Sequence, residues 1–395
     1  MEFSLEQLAH DLQGLSPEEH GFTYLDLSRT TASTSSPVSH TSDNLPLQGW
    51  LLSAKDLNDV AGMPTSLGAR HRAYLADRTD AFIASLEARG AAIIGKSATP
   101  ELGLRVDCEP TDMPHPDNPL YPGHTPGGSS GGAAVHVARG LLRAAHATDG
   151  GGSIRVPAAA CGVVGFKPAG HDLTVHGFIT RNVTDTALLH DLRLAPPPRL
   201  RIGVLTEPLF AQVEVQPEFL AAIARTAGLL ENAGFPVIPL QPYPLADATF
   251  EAFTHLFTSR LAALPEDSSP ASDGYFNWAR ATGLAVSAGQ RHAAQRHAEG
   301  LARLLTDFWR VDVLLTPTLT SPPPRRGAFQ GLPPADNFAA QTRWSPWGSL
   351  FNVARLPAIS LPMPSHPHPI SIHLGGITVN DAELLSLARL LEKEI

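Results

Sequence analysis

Apolar positions recur along the chain with two periods, and the alternation between them sets the expected architecture. Leu5, Leu8 and Leu12 follow Ser4 at helical spacing, which predicts a short amphipathic helix capped by Ser4. Trp50 to Ser53 reads as a buried strand, Arg70 to Arg89 as an amphipathic helix stopped by Gly90, and Ala91 to Gly95 as a second short buried strand. A helix over Ser130 to Leu142 and a strand over Arg143 to Thr148 follow. Further on, a strand at Arg201 to Leu205, a helix at 217–233 ended by Gly234 and a strand at 236–240 form a strand-helix-strand unit. Helices are predicted at 248–264, 285–309 and 381–393. Strands alternating with helices indicate an α/β protein.

Between these elements the chain is punctuated by polar and proline-rich stretches. Residues 28–43, rich in Ser and Thr, read as a surface loop or as a flap over a site. Prolines at 110, 114, 116, 119, 122 and 126 make the stretch after Lys96 mostly loop, and Pro196 to Pro198 form a stiff spacer. The 36 prolines imply long ordered connections, while 43% hydrophobic and 17% charged residues are ordinary for a globular chain. Length alone, 395 residues, suggests two or three domains. A formal charge of −9 argues against a nucleic-acid surface. Two cysteines, Cys108 and Cys161, make no disulfide framework and suit a reducing compartment. The N-terminus lacks the basic start and apolar core of a signal peptide, and no apolar run reaches the roughly eighteen to twenty residues that cross a bilayer. The expectation is a cytoplasmic protein with no membrane partner.

Candidate chemistry concentrates in Gly127 to Pro168, where glycines cluster at 127–128, 131–132 and 150–152 around Ser129, Ser130 and Ser153. Glycine at that density marks tight turns or close backbone approach. A phosphate cradle is disfavoured, because neither cluster is followed by the Lys and hydroxyl residue of a P-loop. Gly127 to Gly131 matches G-x-S-x-G, but the proline-rich residues before it cannot form the central strand that a nucleophile elbow requires. His124, His136 and His146 with Asp149 offer a Ser-His-Asp alternative. Asp149 and Arg155 read as braces of the loop around Ser153, and Cys161 as a small buried residue. Arg291, His292, Arg296 and His297 read as a solvated helix face, without the carboxylates that a metal site needs.

Three blocks in order, Gly95-Lys96-Ser97-Ala98-Thr99-Pro100-Glu101-Leu102, GHTPGGSSGG and TDGGGSIRVPAAACGVVGFKP, resemble those of the amidase signature family. The likeness extends over most of the chain. It takes in AKDLNDVAGMPTSLG, Thr184 to Leu189, Val313 to Thr318 as a strand ending in TPT, Phe351 to Pro362, and Ile370 to Gly376 as a closing strand. The resemblance implies a single domain of 395 residues, a large mixed β-sheet covered by helices, with a catalytic core at about 50–190 and a C-terminal part of the same fold at about 198–395.

It also implies a Ser-Ser-Lys triad: Ser153 as nucleophile, Ser129 in a cis peptide as the bridging serine, and Lys96, delivered by the strand before it, as base. Lys55 is the rival lysine, and the resemblance is taken to favour Lys96. A serine nucleophile needs a base within hydrogen-bond reach, and lysine serves only where burial lowers its pKa. Gly150, Gly151 and Gly152 are expected to aim backbone N–H groups at an oxyanion, with Ser130 helping to orient the relay. The family usually has threonine or a similar residue where Gly150 stands, so a more mobile loop is expected. The implied activity is hydrolysis of a small-molecule amide without metal or organic cofactor, and a homodimer is left open. Two alternatives stand beside it: a glutaminase subunit of a tRNA-dependent amidotransferase, and a non-catalytic amidase-like binding protein. Phe329, Phe338, Trp344 and Trp347 either line an aromatic-tolerant pocket or belong to a surface loop.

Overall fold

Two short sheets near the start of the chain carry residues that matter for the site. In the computed structural model, which describes residues 3–28, 45–364 and 367–394, strands β1 (Phe22–Leu25), β2 (Leu51–Lys55), β3 (Pro64–Thr65), β4 (Tyr74–Leu75) and β5 (Ala92–Ser97) form them. One sheet has the order β1-β5-β2, and β3 pairs with β4. Every residue of β2 is buried, as are all of β5 but the first. A strand buried on both faces reads as a continuous apolar run rather than an alternating one.

The second sheet is the scaffold. It is built from β6 (Ala144–Asp149), β7 (Val164–Lys167), β8 (Val175–Thr180), β9 (Ile202–Val204), β10 (Val237–Pro239), β11 (Val313–Pro317), β12 (Ala358–Met363) and β13 (Ile370–Gly376). Its eight strands run β10-β9-β11-β13-β12-β7-β8-β6. The β9 pairings are parallel and the others antiparallel, so the sheet is mixed. Chain segments more than a hundred residues apart are neighbours in it: β7 pairs with β12 through Lys167 and Ala358. One apolar cluster accordingly joins Val156 and Phe166 to Leu314, Phe351 and Leu385. That shared core makes a single domain, and the length-based prior of two or three is set aside.

Helices cover the sheet where small residues permit it. Helix Gly131–Ala138 is buried along nearly its whole length. A Cβ on Gly132 would stand 2.3 Å from Ala98 N and 2.6 Å from Gly21 O, so this helix docks backbone against backbone. The first glycine cluster thus exists for close approach. Gly375 has the same logic, since a Cβ there would overlap the ring of Phe351.

Most predicted elements are present: the Ser4 cap accepts a hydrogen bond from Gln7 N, and Pro217–Asn232, Ala246–Ser259, Ala288–Trp309 and Asp381–Glu394 are helices. Two expectations need correction. Only Ala81–Ala88 of the predicted helix over Arg70 to Arg89 is helical; before it come a single turn at Arg70–Arg72 and the β3–β4 hairpin. Here the backbone pairs outside the segment, with Ala76 N donating to Met63 O, Gly62 N to Ala76 O and Arg70 N to Thr111 O, so its hydrogen bonds go to a hairpin and a neighbouring loop instead of to a helix. A separate helix, Tyr275–Ala285, precedes the capping box of Ser287 and Gln290. The predicted loop at 28–43 lies, apart from Ser28, outside the described residues.

Two glycine substitutions separate close approach from mere helix content. Gly132→Ala should lower stability by about 2 kcal/mol or more through overpacking against backbone. Gly300→Ala, in helix Ala288–Trp309 where nothing lies within 4 Å of the added Cβ, should raise it by about 0.5–1 kcal/mol. Urea unfolding midpoints measure both.

Candidate active site

The loop that carries Ser153 is fixed by a buried ion pair. Asp149 ends β6, and its carboxylate accepts from Gly152 N (2.7 Å), Ile154 N (3.0 Å), Arg155 Nε (3.0 Å), Arg155 Nη2 (2.8 Å) and Asn352 Nδ2 (3.0 Å). Burial alone would raise its pKa, but the charge and hydrogen bonds of Arg155 outweigh burial and hold it well below the carboxylate range. Arg155 in turn donates to Gly348 O (2.9 Å) and Asn352 Oδ1 (2.7 Å) and lies 3.1 Å from His373 Nε2. Burial keeps His373 neutral, so its Nε2 accepts from Arg155 and its Nδ1 faces Thr316 Oγ1 at 3.2 Å. Asp149 and Arg155 are therefore the braces that the sequence suggested.

That bracing changes the set of free donors. Gly152 N–H is taken by Asp149, so it does not belong with the donors expected of the three glycines. Among the described residues, the N–H groups of Gly150, Gly151 and Ser153 make no hydrogen bond. Ser153 is half-buried at the junction of two cavities. Gly150 is not a loose point: a Cβ there would meet Thr174 Oγ1 at 2.7 Å, so the glycine makes room for that threonine.

The expected placement of Lys96 beside the serines is corrected. Lys55 Nζ lies 2.6 Å from Ser129 Oγ and 3.1 Å from Thr148 Oγ1, fully buried. Lys96 faces elsewhere, 3.0 Å from an Asp56 carboxylate oxygen, 2.9 Å from Thr65 Oγ1 and 3.2 Å from Pro64 O. The cause is register. β2 and β5 pair in parallel with Leu52 beside Ile93, but Ser53 beside Gly95, so Ile94 is an extra residue in β5. Without that bulge Lys55 would sit beside Lys96; with it Lys55 is beside Ser97 and Lys96 beside Ala54. A one-residue slip puts the two lysines on opposite faces. Burial, only partly offset by the charge of Asp149, lowers the Lys55 pKa to about 7.

The remaining candidates fall into place around these. The Gly128–Ser129 peptide is cis. Ser130 bonds to Thr148 O through its hydroxyl (3.3 Å) and to Ser153 O through its N–H (3.2 Å), so it tethers the two serine loops rather than touching Lys55. The histidine alternative is overturned: His146 Nδ1 accepts from Lys55 N, His136 bonds Ser53 Oγ, and His124 faces Pro122 O. None of them bonds to Asp149 or Ser153. Among the described residues, His71, Glu101 and Asp267 converge as metal ligands might, but Arg72 Nε is 2.6 Å from Glu101 and supplies the positive charge there. Cys161 is buried and free.

Two cavities meet at Ser153. One is lined by Phe250, Phe253, Phe257 and Phe338, which resolves the aromatic question for Phe338, while Phe329, Trp344 and Trp347 are buried in the core. The other, about 290 Å³, is lined by Ser129, Thr148, Gly150, Thr174, Arg260 and leucines.

This fold, with a buried lysine bonded to Ser129 and with Ser153 on the same cavity, defines a class, and comparison with known proteins gives it a name. The family model described as Amidase matches residues 19–198 and 193–385. A Mycobacterium tuberculosis relative that bears the name amidase AmiA2 is 33% identical over 89% of this chain and 80% of its own length. Another from that organism, AmiB2, is 31% identical over 93% of this chain and 86% of its own. The solved structure of 6-aminohexanoate cyclic dimer hydrolase with its substrate superposes with a TM-score of 0.86 at 25% identity, covering 98% of this chain and 92% of that one. The chain belongs to the amidase signature family and is an amide-hydrolysing enzyme. No helix among the described residues is long and apolar enough to cross a membrane.

Removing the charge of Asp149 tests the brace. Asp149→Asn leaves Arg155 buried without a counter-charge and should cost about 3–5 kcal/mol at pH 7. Because the folded-state pKa of Asp149 is depressed, its contribution is present above the unfolded value of about 3.9 and is lost as pH falls below it. The difference in unfolding midpoint between wild type and variant should therefore narrow between pH 7 and pH 3.

Proposed function

We propose that the protein hydrolyses a carboxylic amide through an acyl-enzyme on Ser153, with Ser129 relaying the proton and Lys55 acting as base. The observation that carries this reading is the 2.6 Å contact between a buried Lys55 Nζ and Ser129 Oγ, beside the loop that presents Ser153. A lysine base must lose its proton near neutrality, and the burial that brings Lys55 to about pKa 7 supplies that property. Among the described residues no carboxylate pairs with Lys55 to hold it charged, in contrast to Lys96 with Asp56.

In the forward step Ser153 Oγ attacks the amide carbon while its proton passes to Ser129 and the Ser129 proton to Lys55. The C–N bond then breaks, and the nitrogen receives a proton by the reverse route. Water, deprotonated along the same relay, cleaves the Ser153 ester and releases the carboxylic acid. The carbonyl oxygen, negatively charged in between, is received by the unbonded N–H groups of Gly150, Gly151 and Ser153. Ser153 and the relay serine have no need of a metal in this scheme.

Two measurements test the reading. Intact mass after a fluorophosphonate probe should show one adduct on wild type, none on Ser153→Ala, and labelling slowed by about 10³-fold or more in Lys55→Ala. Lys96→Met should instead be destabilised by about 3–5 kcal/mol, because Asp56 is left buried and unpaired, while its folded fraction still labels. Equal loss of labelling in both lysine variants at matched folded fraction would overturn the assignment.

The second measurement is the pH profile. The active form has Lys55 neutral, so kcat/KM on an amide should rise with pH through about 7 and level off above it. A limb that rises only near pH 10, the ordinary lysine range, would count against Lys55 as base.

A further inference from the structure

The cavity that Ser129 shares with Ser153 is walled by leucines, Leu57, Leu102, Leu104, Leu261 and Leu264, and holds one charged side chain, Arg260. Its guanidinium is positioned: Nη1 donates to Thr174 Oγ1 (2.7 Å), and the group sits over the Phe257 ring, 5.3 Å from the centroid. It makes no ion pair with any carboxylate of the described residues, and Arg260 is exposed and lines this cavity. Arg105, in the other cavity, differs in being neutralised by Asp107 at 3.1 Å and by Asp273. An oriented guanidinium without a carboxylate partner, set among leucines, is a receptor for a carboxylate.

The two cavities also divide the substrate. Ser129 returns the proton to the leaving nitrogen, and Ser129 lines the Arg260 cavity and not the phenylalanine one. The amine portion therefore belongs beside Arg260 and the acyl portion beside Phe250, Phe253, Phe257 and Phe338. Phe250 stacks on Phe253 and on Phe338 with ring centroids 5.9 and 5.8 Å apart, a wall suited to aromatic or other apolar acyl groups.

We propose that the substrates are N-acyl amino acids in the broad sense: amides joining an apolar or aromatic acid to an amine that carries a free carboxylate, with Arg260 binding that carboxylate. This rests on the acyl-enzyme reading above. The reaction consumes one amide and one water; the acyl C–N bond breaks, the nitrogen takes a proton, and an apolar carboxylic acid and a free amino acid leave.

The test compares N-benzoyl derivatives of glycine and of 4-aminobutanoic acid with the same compounds as neutral primary carboxamides, scored by release of benzoate. Wild type should favour the acid of at least one pair by roughly ten- to hundredfold in kcat/KM, the range of a charge-assisted hydrogen bond. In Arg260→Gln that ratio should fall to near one, chiefly through KM of the acid, and Arg260→Lys should restore part of it. Thr174→Val, which frees the guanidinium without removing it, should reduce the ratio less than Arg260→Gln does. Benzoate release without preference for either acid, or a preference that survives in Arg260→Gln, overturns the proposal and leaves the acyl-enzyme reading standing. Release from no compound while the fluorophosphonate still labels Ser153 also overturns it. Failure of labelling overturns the acyl-enzyme reading instead.

Discussion

The structure depends on one charge pair that water never reaches. Asp149 and Arg155 are both essentially inaccessible, and taking two charges out of water is tolerated only if their remaining hydrogen-bonding positions are filled. They are filled from the far end of the chain: Gly348, Asn352 and His373 complete the shell of Arg155, and Asn352 also reaches Asp149. The loop from Gly150 to Ser153 is thus pinned at both ends, from within by Asp149 and from across the sheet by residues roughly two hundred positions away. Such a pair contributes little net stability against an apolar substitute, and its value lies in fixing position. It also explains why the C-terminal half cannot be a separate unit. Without it the loop that carries Ser153 has no wall.

The second constraint is parity along a strand. Lys55 and Lys96 lie on adjacent parallel strands, both buried, and their surroundings make opposite use of the same side chain. Asp56 compensates one charge, so Lys96 acts as a buried cation. Thr148 and Ser129 offer the other only hydroxyls and a carbonyl, so for Lys55 the neutral form is the cheaper one. What separates the two is a single inserted residue, Ile94, that rotates one strand's faces relative to its neighbour.

Parity of this kind is hard to read from sequence. The buried strands, the Ser4 cap, the strand-helix-strand unit and the two glycine-serine loops are written in local patterns, and they stand in the structure where those patterns put them. The loops that carry Ser153 and Ser129 are legible for the same reason. The expectation of Lys96 beside the serines fails because a bulge leaves no mark in hydrophobic period: Ala-Ile-Ile-Gly is apolar whichever way each residue faces. One signal was available. Asp56 follows Lys55 directly, yet strand alternation sends its carboxylate away from Lys55 and toward whatever lies on the other face, which is Lys96. Residues 70–80 differ for another reason, since helical spacing of apolar residues says nothing about the partners at Gly62, Met63 and Thr111 that take up the backbone there.

Gly150 shows how a local reading can be right about a residue and wrong about its consequence. A missing side chain in the loop that carries Ser153 suggests a looser loop. Here the space is taken by Thr174, whose hydroxyl stands where a Cβ at 150 would nearly touch it. That hydroxyl is engaged with Arg260, so the volume given up by the loop is spent on orienting a cation at the edge of the same cavity. Rigidity is not lost, because Asp149 still holds Gly152 N and Ile154 N on the other side. A side chain at 150 would return bulk to the loop and displace the threonine, and with it the hydroxyl that accepts from the guanidinium. Glycine at this position and an oriented arginine are therefore two halves of one arrangement.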